Sequence, residues 1–267
     1  MASPAQDLGP VLDKDGVRLT VDDAIATVTL TNPAKRNAQS PALWRALTEA
    51  GRLLPGSVRV VVLRAEGKSF SAGLDRQAFT PEGFDGEPSF IDLARGGDAE
   101  LDATIAEYQE AFTWWRRSDV VSIAAVQGHA IGAGFQLALA CDLRVVADDV
   151  QFAMRETSLG LVPDLTGTHP LVGLVGYARA LEICVTGRFV TAEEAVSTGL
   201  ANVAVPVDQL EGTVGDLASA ILAAPRDAVI ETKALLRGAQ DRTYEDQRTA
   251  ERAAQARRLR DLAGLGE

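Results

Sequence analysis

Short apolar runs dominate the first two-thirds of the chain, and helical-period runs dominate the rest. Val17–Val21 alternates and Ala24–Thr31 is largely apolar, which predicts two strands joined around Asp22-Asp23. Asn32-Pro33 ends the second of them. Ser40-Pro41 supplies an N-cap and a proline at the first helical position, so a helix is expected to about Leu54. Val58–Arg64 and Val120–Gln127 read as buried strands and Leu143–Val146 as a further strand, with Val150–Ala153 another candidate. Between them the pattern predicts a loop at Gly67–Asp75, mobile loop over 80–97 and a helix over Asp98–Arg117. A glycine turn, Gly128–Gly134, then opens a helix to about Ala140. From Gly167 onward helix is expected almost throughout, broken at Gly187, Gly199, Pro206 and Pro225. This order argues an α/β fold: a sheet core with helices packed on it over residues 1–205, then a helical module over 206–267. Leu210, Val214, Leu217 and Ile221 form an apolar stripe expected to bury itself against neighbouring subunits.

Composition narrows the function. With 46% hydrophobic and 24% charged residues, the chain is not a disordered one. Thirty-seven acids against 26 bases give a net charge of −11, the wrong sign for a nucleic-acid grip. No apolar run approaches the roughly 20 residues of a membrane span. Met1–Gly16 has no basic flank followed by an apolar run, so no signal peptide is expected and the location expected is cytoplasmic. Cys141 and Cys184 lie in apolar surroundings without a CxxC, which predicts two buried free thiols. With only His129 and His169 besides, no metal site is expected.

Familiar signatures fail one by one. Gly67-Lys68-Ser69 has the tail of a phosphate loop, but the glycine needed five positions earlier is Val62. Gly132-Ala-Gly134-Phe-Gln-Leu137 has the setting of a dinucleotide fingerprint, with Leu137 where the third glycine belongs. A GxSxG elbow is absent. What survives is a pair of glycine-containing loops, Ser71–Asp75 and Gly132–Gly134, each following a buried strand. If they face one another, the N–H groups of Leu74 and Ala133 share one ligand oxygen and form an oxyanion hole from backbone alone. The plainer reading is that both are tight turns at close packing sites.

A resemblance favours the first reading. Asn32-Pro-Ala-Lys-Arg-Asn37-Ala38, Ser69-Phe-Ser-Ala-Gly-Leu-Asp75 and Ala125-Val-Gln-Gly-His-Ala-Ile-Gly-Ala-Gly-Phe-Gln136-Leu-Ala138 resemble segments of the crotonase (enoyl-CoA hydratase/isomerase) superfamily. So do Ala140-Cys-Asp142, Gln151-Phe-Ala-Met-Arg-Glu156, Leu159-Gly-Leu-Val-Pro163, and Thr186-Gly187 followed by Thr191-Ala-Glu-Glu-Ala195. The seven pieces are collinear between about residues 17 and 205. The resemblance implies a spiral core of ββα turns with a helical C-terminal trimerisation module, giving a homotrimer or homohexamer. It also implies an acyl-CoA thioester substrate, with coenzyme A entering as part of that substrate and no separate cofactor. The thioester oxygen would sit on the Leu74 and Ala133 amides, lined by Ala72, Gly73, Asp75 and Gly132. Lys35, Arg36 and Asn37 would contact the coenzyme, with Lys68 nearby. Six arginines at 242, 248, 252, 257, 258 and 260 offer further phosphate contacts, or simply a solvated helix face.

The carboxylates bear on the reaction. The family's hydratases hold a water between two glutamates 20 positions apart. Here Glu156 matches the second of these positions and Gln136 stands at the first. An amide positions a water but takes no proton from it at neutral pH. Asp164, after Val162-Pro163, matches an aspartate of the dienoyl-CoA isomerase branch. Gln136, Glu156 and Asp164 together resemble proton relocation more than water addition, so the expected activity is an enoyl-CoA double-bond isomerase. The alternatives are a hydratase using Glu156 and a Gln136-positioned water, and a non-catalytic acyl-CoA binding protein. Structural roles stand beside these. Glu156 has Arg155 and Arg144 as ion-pair candidates, and Asp164 a helix start near Gly167 to cap. The aromatics between 79 and 117 fall in the stretch that shapes the family's acyl pocket, although such residues are more often core.

Overall fold

The computed structural model describes residues 11–84 and 86–266; most of Met1–Gly16, on which the signal-peptide reading rests, lies outside them. Leu12–Lys14 (β1), too short to show a period, pairs antiparallel with Val17–Asp22 (β2). β2 in turn pairs antiparallel with Ile25–Leu30 (β3), from Val17 opposite Leu30 to Asp22 opposite Ile25. Pro41–Arg52 (α1) starts where expected, with the Ser40 hydroxyl accepting from the Leu43 N–H. Val60–Ala65 (β4), Val121–Val126 (β5) and Leu143–Ala147 then extend the sheet in parallel.

Both faces of these strands are covered, which is why their sequences run apolar without alternating. Val61 and Leu63 face the main core, together with Phe70, Phe112, Trp115 and Phe135. Val60 and Val62 face the other way, onto a second core with Ile123, Ala125, Val145 and Ala147. The lid of that second core is Leu210–Ala223, whose Leu210, Val214 and Ala218 are buried against the chain's own sheet. Leu217 and Ile221 pack there as well. The stripe expected to meet a neighbouring subunit is therefore satisfied within the chain, because the exposed face of a parallel sheet needs a cover as much as a helix needs a partner.

Between β4 and β5 lie Phe90–Leu93 (α2), capped by Ser89, and Asp98–Thr113 (α3). The stretch expected to be mobile loop thus contains a helical turn, where the Phe90 ring stacks on Tyr108 and meets Phe79 edge-on. After β5 a glycine turn leads into His129–Ile131 (β6) and the buried helix Ala133–Ala140 (α4). Leu143–Ala147 (β7) is followed by Gln151–Ala153 (β8), Thr168–Val175 (α5) and Tyr177–Thr186 (α6). The remainder is not all helix. Val190–Thr191 (β9) pairs with β8, Ala192–Ser197 (α7) follows, and Val203–Val205 (β10) joins β7 in parallel at the sheet edge. Strands of two or three residues carry no readable period; they exist because neighbours offer open hydrogen bonds. Leu210–Ala223 (α8), Arg226–Gly238 (α9) and Tyr244–Leu262 (α10) complete the chain.

The seven-stranded sheet runs β1-β2-β3-β4-β5-β7-β10, and β6-β8-β9 form a second, smaller sheet. Successive turns of chain place one strand in each: β5 then β6, β7 then β8, each pair leading on to a helical segment. This is the ββα spiral. No helix among the described residues is long and apolar enough to cross a membrane.

Candidate active site

The smaller sheet explains how distant loops meet. Ser71 bridges in parallel to Ala130 of β6, and β6 runs parallel to β8. Ser71 N–H donates to His129 O at 2.9 Å and Ile131 N–H to Ser71 O at 3.0 Å. Gly132 N–H then donates to Ala153 O at 2.8 Å. Three parallel rungs therefore end side by side, and the chain leaves them as Gly73-Leu74, Gly132-Ala133 and Arg155-Glu156.

Small residues make this meeting close. Gly73 has a φ of 85°, and a β-carbon there would lie 2.5 Å from Ile131 O and 3.7 Å from Ala133 N. The loop before it is built on a buried chain of hydrogen bonds. Trp44 Nε1 donates to Gln39 Oε1 at 2.7 Å, Gln39 Nε2 to Ser71 Oγ at 3.2 Å, and Ser71 Oγ to Asn37 O at 2.8 Å. Gln39 takes both backbone contacts of the Leu74 segment, through Gly73 O and Asp75 N. An extended chain alternates its hydrogen-bonding edges, so Leu74 N–H points away from Gln39. Neither Leu74 N–H nor Ala133 N–H has an acceptor among the described residues. Ala133 opens α4, whose first turn has no side-chain cap.

Glu156 is buried, at 9% exposed, with one oxygen engaged and one free. Its Oε1 accepts from Gln136 Nε2 at 2.6 Å, while Oε2 has no partner. The amide is oriented by its other end, where Gln136 Oε1 accepts the N–H groups of Leu165 at 2.9 Å and Gly167 at 3.3 Å. Gly132 borders the carboxyl: a β-carbon there would lie 3.2 Å from Glu156 Oε1. Burial holds the Glu156 carboxyl above its ordinary range and the Asp164 charge adds to this, against the lowering effect of its own N–H and of Gln136. Asp164 is half-buried and likewise raised by burial. No ion pair involves Glu156 among the described residues; Arg144 is spent on backbone carbonyls of Leu200, Cys141 and Asp142. Asp164 caps no helix, since α5 begins at Thr168 with Gly167 in the N-cap position and no side-chain cap.

The residues expected at the coenzyme are less uniform. Lys35 and Arg36 are exposed, and Lys35 pairs with Asp75 at 3.1 Å. Arg36 and Lys68 have no carboxylate partner among the described residues. Asn37 is fully buried, its amide donating to Glu66 O and Ser69 O and accepting from Asn32 N–H, so its side chain fastens the loop from within. Ala72 is exposed beside it. Arg242, Arg248, Arg252, Arg257 and Arg258 are engaged by α9–α10 neighbours, such as Arg257 with Glu231 at 2.6 Å. Tyr108, Phe112 and Trp115 are core, while Phe84 and Phe90 are half-buried. Cys141 is buried, its thiol pushed up to about 12 by burial; Cys184 is only half-buried, in the α6 turn beside the Glu156 segment, and both are free. Gln109 was not legible as a site residue. It donates from α3 to Asp164 O at 2.6 Å, a long-range contact with no sequence signal.

Parallel rungs ending in two open amides beside a buried carboxyl define a crotonase-type protein. The sequence profile of the enoyl-CoA hydratase/isomerase family matches residues 20–261, and the chain belongs to that family. It is 35% identical over 189 residues to a probable enoyl-CoA hydratase of Mycobacterium bovis, covering 70% of this chain and 69% of that one. It is 31% identical over 209 residues to 4-chlorobenzoyl coenzyme A dehalogenase-2 of an Arthrobacter species, covering 76% and 71%. A candidate enoyl-CoA hydratase from Thermobifida fusca YX, solved in complex with CoA, superposes with a TM-score of 0.88 at 47% identity, covering 93% and 95%.

Proposed function

We propose that the chain is an acyl-CoA enzyme that shifts a carbon–carbon double bond in an enoyl thioester. The thioester oxygen takes the Leu74 and Ala133 N–H groups, and Glu156 Oε2 removes a proton from the carbon chain. Charge moves onto the thioester oxygen as the C–H bond breaks, and the two amides stabilise that charge without reorganising. The far end of the delocalised anion then takes a proton, either the same one from Glu156 or one carried by a protonated Asp164. In the second case Glu156 loses its proton to solvent and Asp164 regains one from solvent before the next turnover. CoA and acetoacetyl-CoA bound in the Thermobifida fusca relative support the substrate class.

The observation that carries the reaction type is the saturation of Gln136. Its oxygen already accepts two N–H groups and its nitrogen donates to Glu156, so no lone pair is left to hold a water's proton. A base raised by burial, with one free oxygen, suits proton removal from carbon better than paired activation of water. The hydratase reading is favoured by the names of relatives such as the Mycobacterium bovis protein. Product mass from a panel of enoyl-CoA thioesters separates the two: isomerisation leaves the mass unchanged, and hydration adds one water. Efficient hydration of crotonyl-CoA by the wild type would refute the isomerase reading. Gln136→Glu recreates two carboxylates at the hydratase spacing and should gain hydration.

A further inference from the structure

The Gln136 amide holds more than Glu156. The two N–H groups on its oxygen belong to Leu165 and Gly167, which flank Thr166 at a φ of 65°. A β-branched residue enters that region only when its surroundings hold it there. Amides on either side of a left-handed residue converge into a small donor pair suited to an oxygen. Here the occupant is the molecule's own side chain. Gly167 permits the approach, since a β-carbon there would lie 2.7 Å from Gln136 Cγ. On the other side of the same loop Gln109 Nε2 holds Asp164 O at 2.6 Å. Asp164 is thus tied at its own carbonyl and through the next residues' amides.

At neutral pH an amide meets two opposite demands at position 136 that an ionised carboxylate does not. The Leu165–Gly167 side demands an acceptor, and the Glu156 side demands a donor. An ionised glutamate meets the first demand and fails the second, while facing Glu156 as a like charge. A methionine meets neither and leaves two buried N–H groups without a partner.

We propose that Gln136 and Gln109 are positioning residues that hold Asp164 in fixed register with Glu156, so that the two carboxyl groups work as one coupled pair. Gln136 donates to Glu156, the Asp164 charge acts on it to raise its carboxyl, and its own charge in turn raises the Cys184 thiol of α6. The inference rests on the proposed reading only for its effect on turnover. The coupling itself is measurable without any reaction.

Infrared difference titration follows the Glu156 carboxyl directly. In the wild-type background, Asp164→Asn removes a like charge and moves the Glu156 titration to lower pH. In Gln109→Met and in Gln136→Met the same substitution should move it by less than about half as much, because the loop no longer holds its distance. Equal movement in all three backgrounds overturns the proposal. Gln109→Met alters only one partly exposed contact, so it keeps the test decisive if Gln136→Met does not fold. In turnover, Gln136→Met should lower kcat by about tenfold or more while KM changes less than about threefold. Gln136→Glu should recover activity on the acid side, where a protonated carboxyl can donate to Glu156 as the amide does. Gln109→Met should cost nothing further in the Asp164→Asn background; an equal loss of kcat with and without Asp164 marks a merely structural role and overturns the proposal. Coupling that persists in a wild type without isomerase turnover supports the clamp and removes the double-bond reading alone.

Discussion

Gly73→Ala is the most direct test of the oxyanion geometry. The added β-carbon would lie 2.5 Å from Ile131 O and 3.3 Å from Ile131 C. Ordinary contact begins near 3.4 Å, so the loop and β6 must separate by roughly 0.9 Å. Ile131 cannot yield easily, because it pairs with Ala153 in β8 and donates to Ser71 O. The loop carrying Leu74 must move instead. A displacement near 1 Å costs about a hundredfold in rate when it misplaces a reacting or stabilising group, comparable to losing one oxyanion donor. The left-handed φ of 85° adds about 1–2 kcal/mol against alanine, and overpacking adds about 1–3. Gly264→Ala is the control: its φ is 68° and a β-carbon meets nothing within 4 Å. It should carry the conformational cost alone and keep kcat. The assay is turnover of an enoyl-CoA beside thermal unfolding of both variants. Should Gly73→Ala keep wild-type kcat while losing stability, the two loops do not share a substrate oxygen and the reasoning fails.

Glu156→Gln should lower kcat by about a hundredfold to ten-thousandfold with little change in acyl-CoA affinity, since the thioester is held by backbone. Its stability should respond to pH in a fixed sense. The native carboxyl lies above its ordinary value of 4.5, so its contribution is present below that value and is lost as pH rises through the native one. The variant should therefore melt above wild type at pH 8, with the gap closing in acid; a gap that widens in acid would contradict this. Coenzyme A binding by calorimetry should weaken with salt, through Arg36 and Lys68, and binding absent at low salt would remove the acyl-CoA claim. Leu159, Val162, Val172, Tyr177, Leu181 and Val185 are exposed apolar residues from the Glu156 loop through α6. A trimer or hexamer that covers them is the expected outcome of light scattering, and a monomer at micromolar concentration would refute it.

The parts of the fold that were legible are those whose periodicity reports burial. β2, β3, α1 and the central strands declared themselves because one or both faces are covered along their whole length. β1, β9 and β10 were not, since a strand of two or three residues is formed by its neighbour's open hydrogen bonds rather than by its own pattern. The stripe on α8 was read correctly as apolar, but nothing in a stripe says whether the partner is another chain or the back of the same sheet. At the site, the two glycine loops were visible through residue type, and their meeting follows from a bridge between Ser71 and Ala130 that sequence does not encode locally. Gln136 was visible as a substitution; its hold on Leu165 and Gly167 was not, because both contacts end on backbone.

The helix bearing Ala133 shows why the open amides remain open. α4 spans only eight residues, all buried, so every polar group at its ends needs a partner or carries a cost. Its far end is completed by two arginines, one of them the Arg144 that the sequence offered as an ion-pair candidate for Glu156. Arg116 donates to Leu139 O and Ala140 O, and Arg144 to Cys141 O at 2.8 Å. Burial lowers Arg144 to about 10, which still leaves it charged at neutral pH, and both guanidinium groups sit where the helix dipole is negative. Beyond them Lys233 of α9 donates to Val120 O and Asp142 Oδ2, each at 2.6 Å, and Asp142 in turn accepts from the Ser122 N–H. The C-terminal end is thus fixed to β5, β7 and α9, with the Leu139, Ala140 and Cys141 carbonyls taken by the two guanidinium groups. The N-terminal end has no side-chain cap, and the Ala133 N–H faces the Gly73 loop without an acceptor. Charged side chains thus close the end of this helix that carries acceptors, and none closes the end whose donors a ligand oxygen can reach.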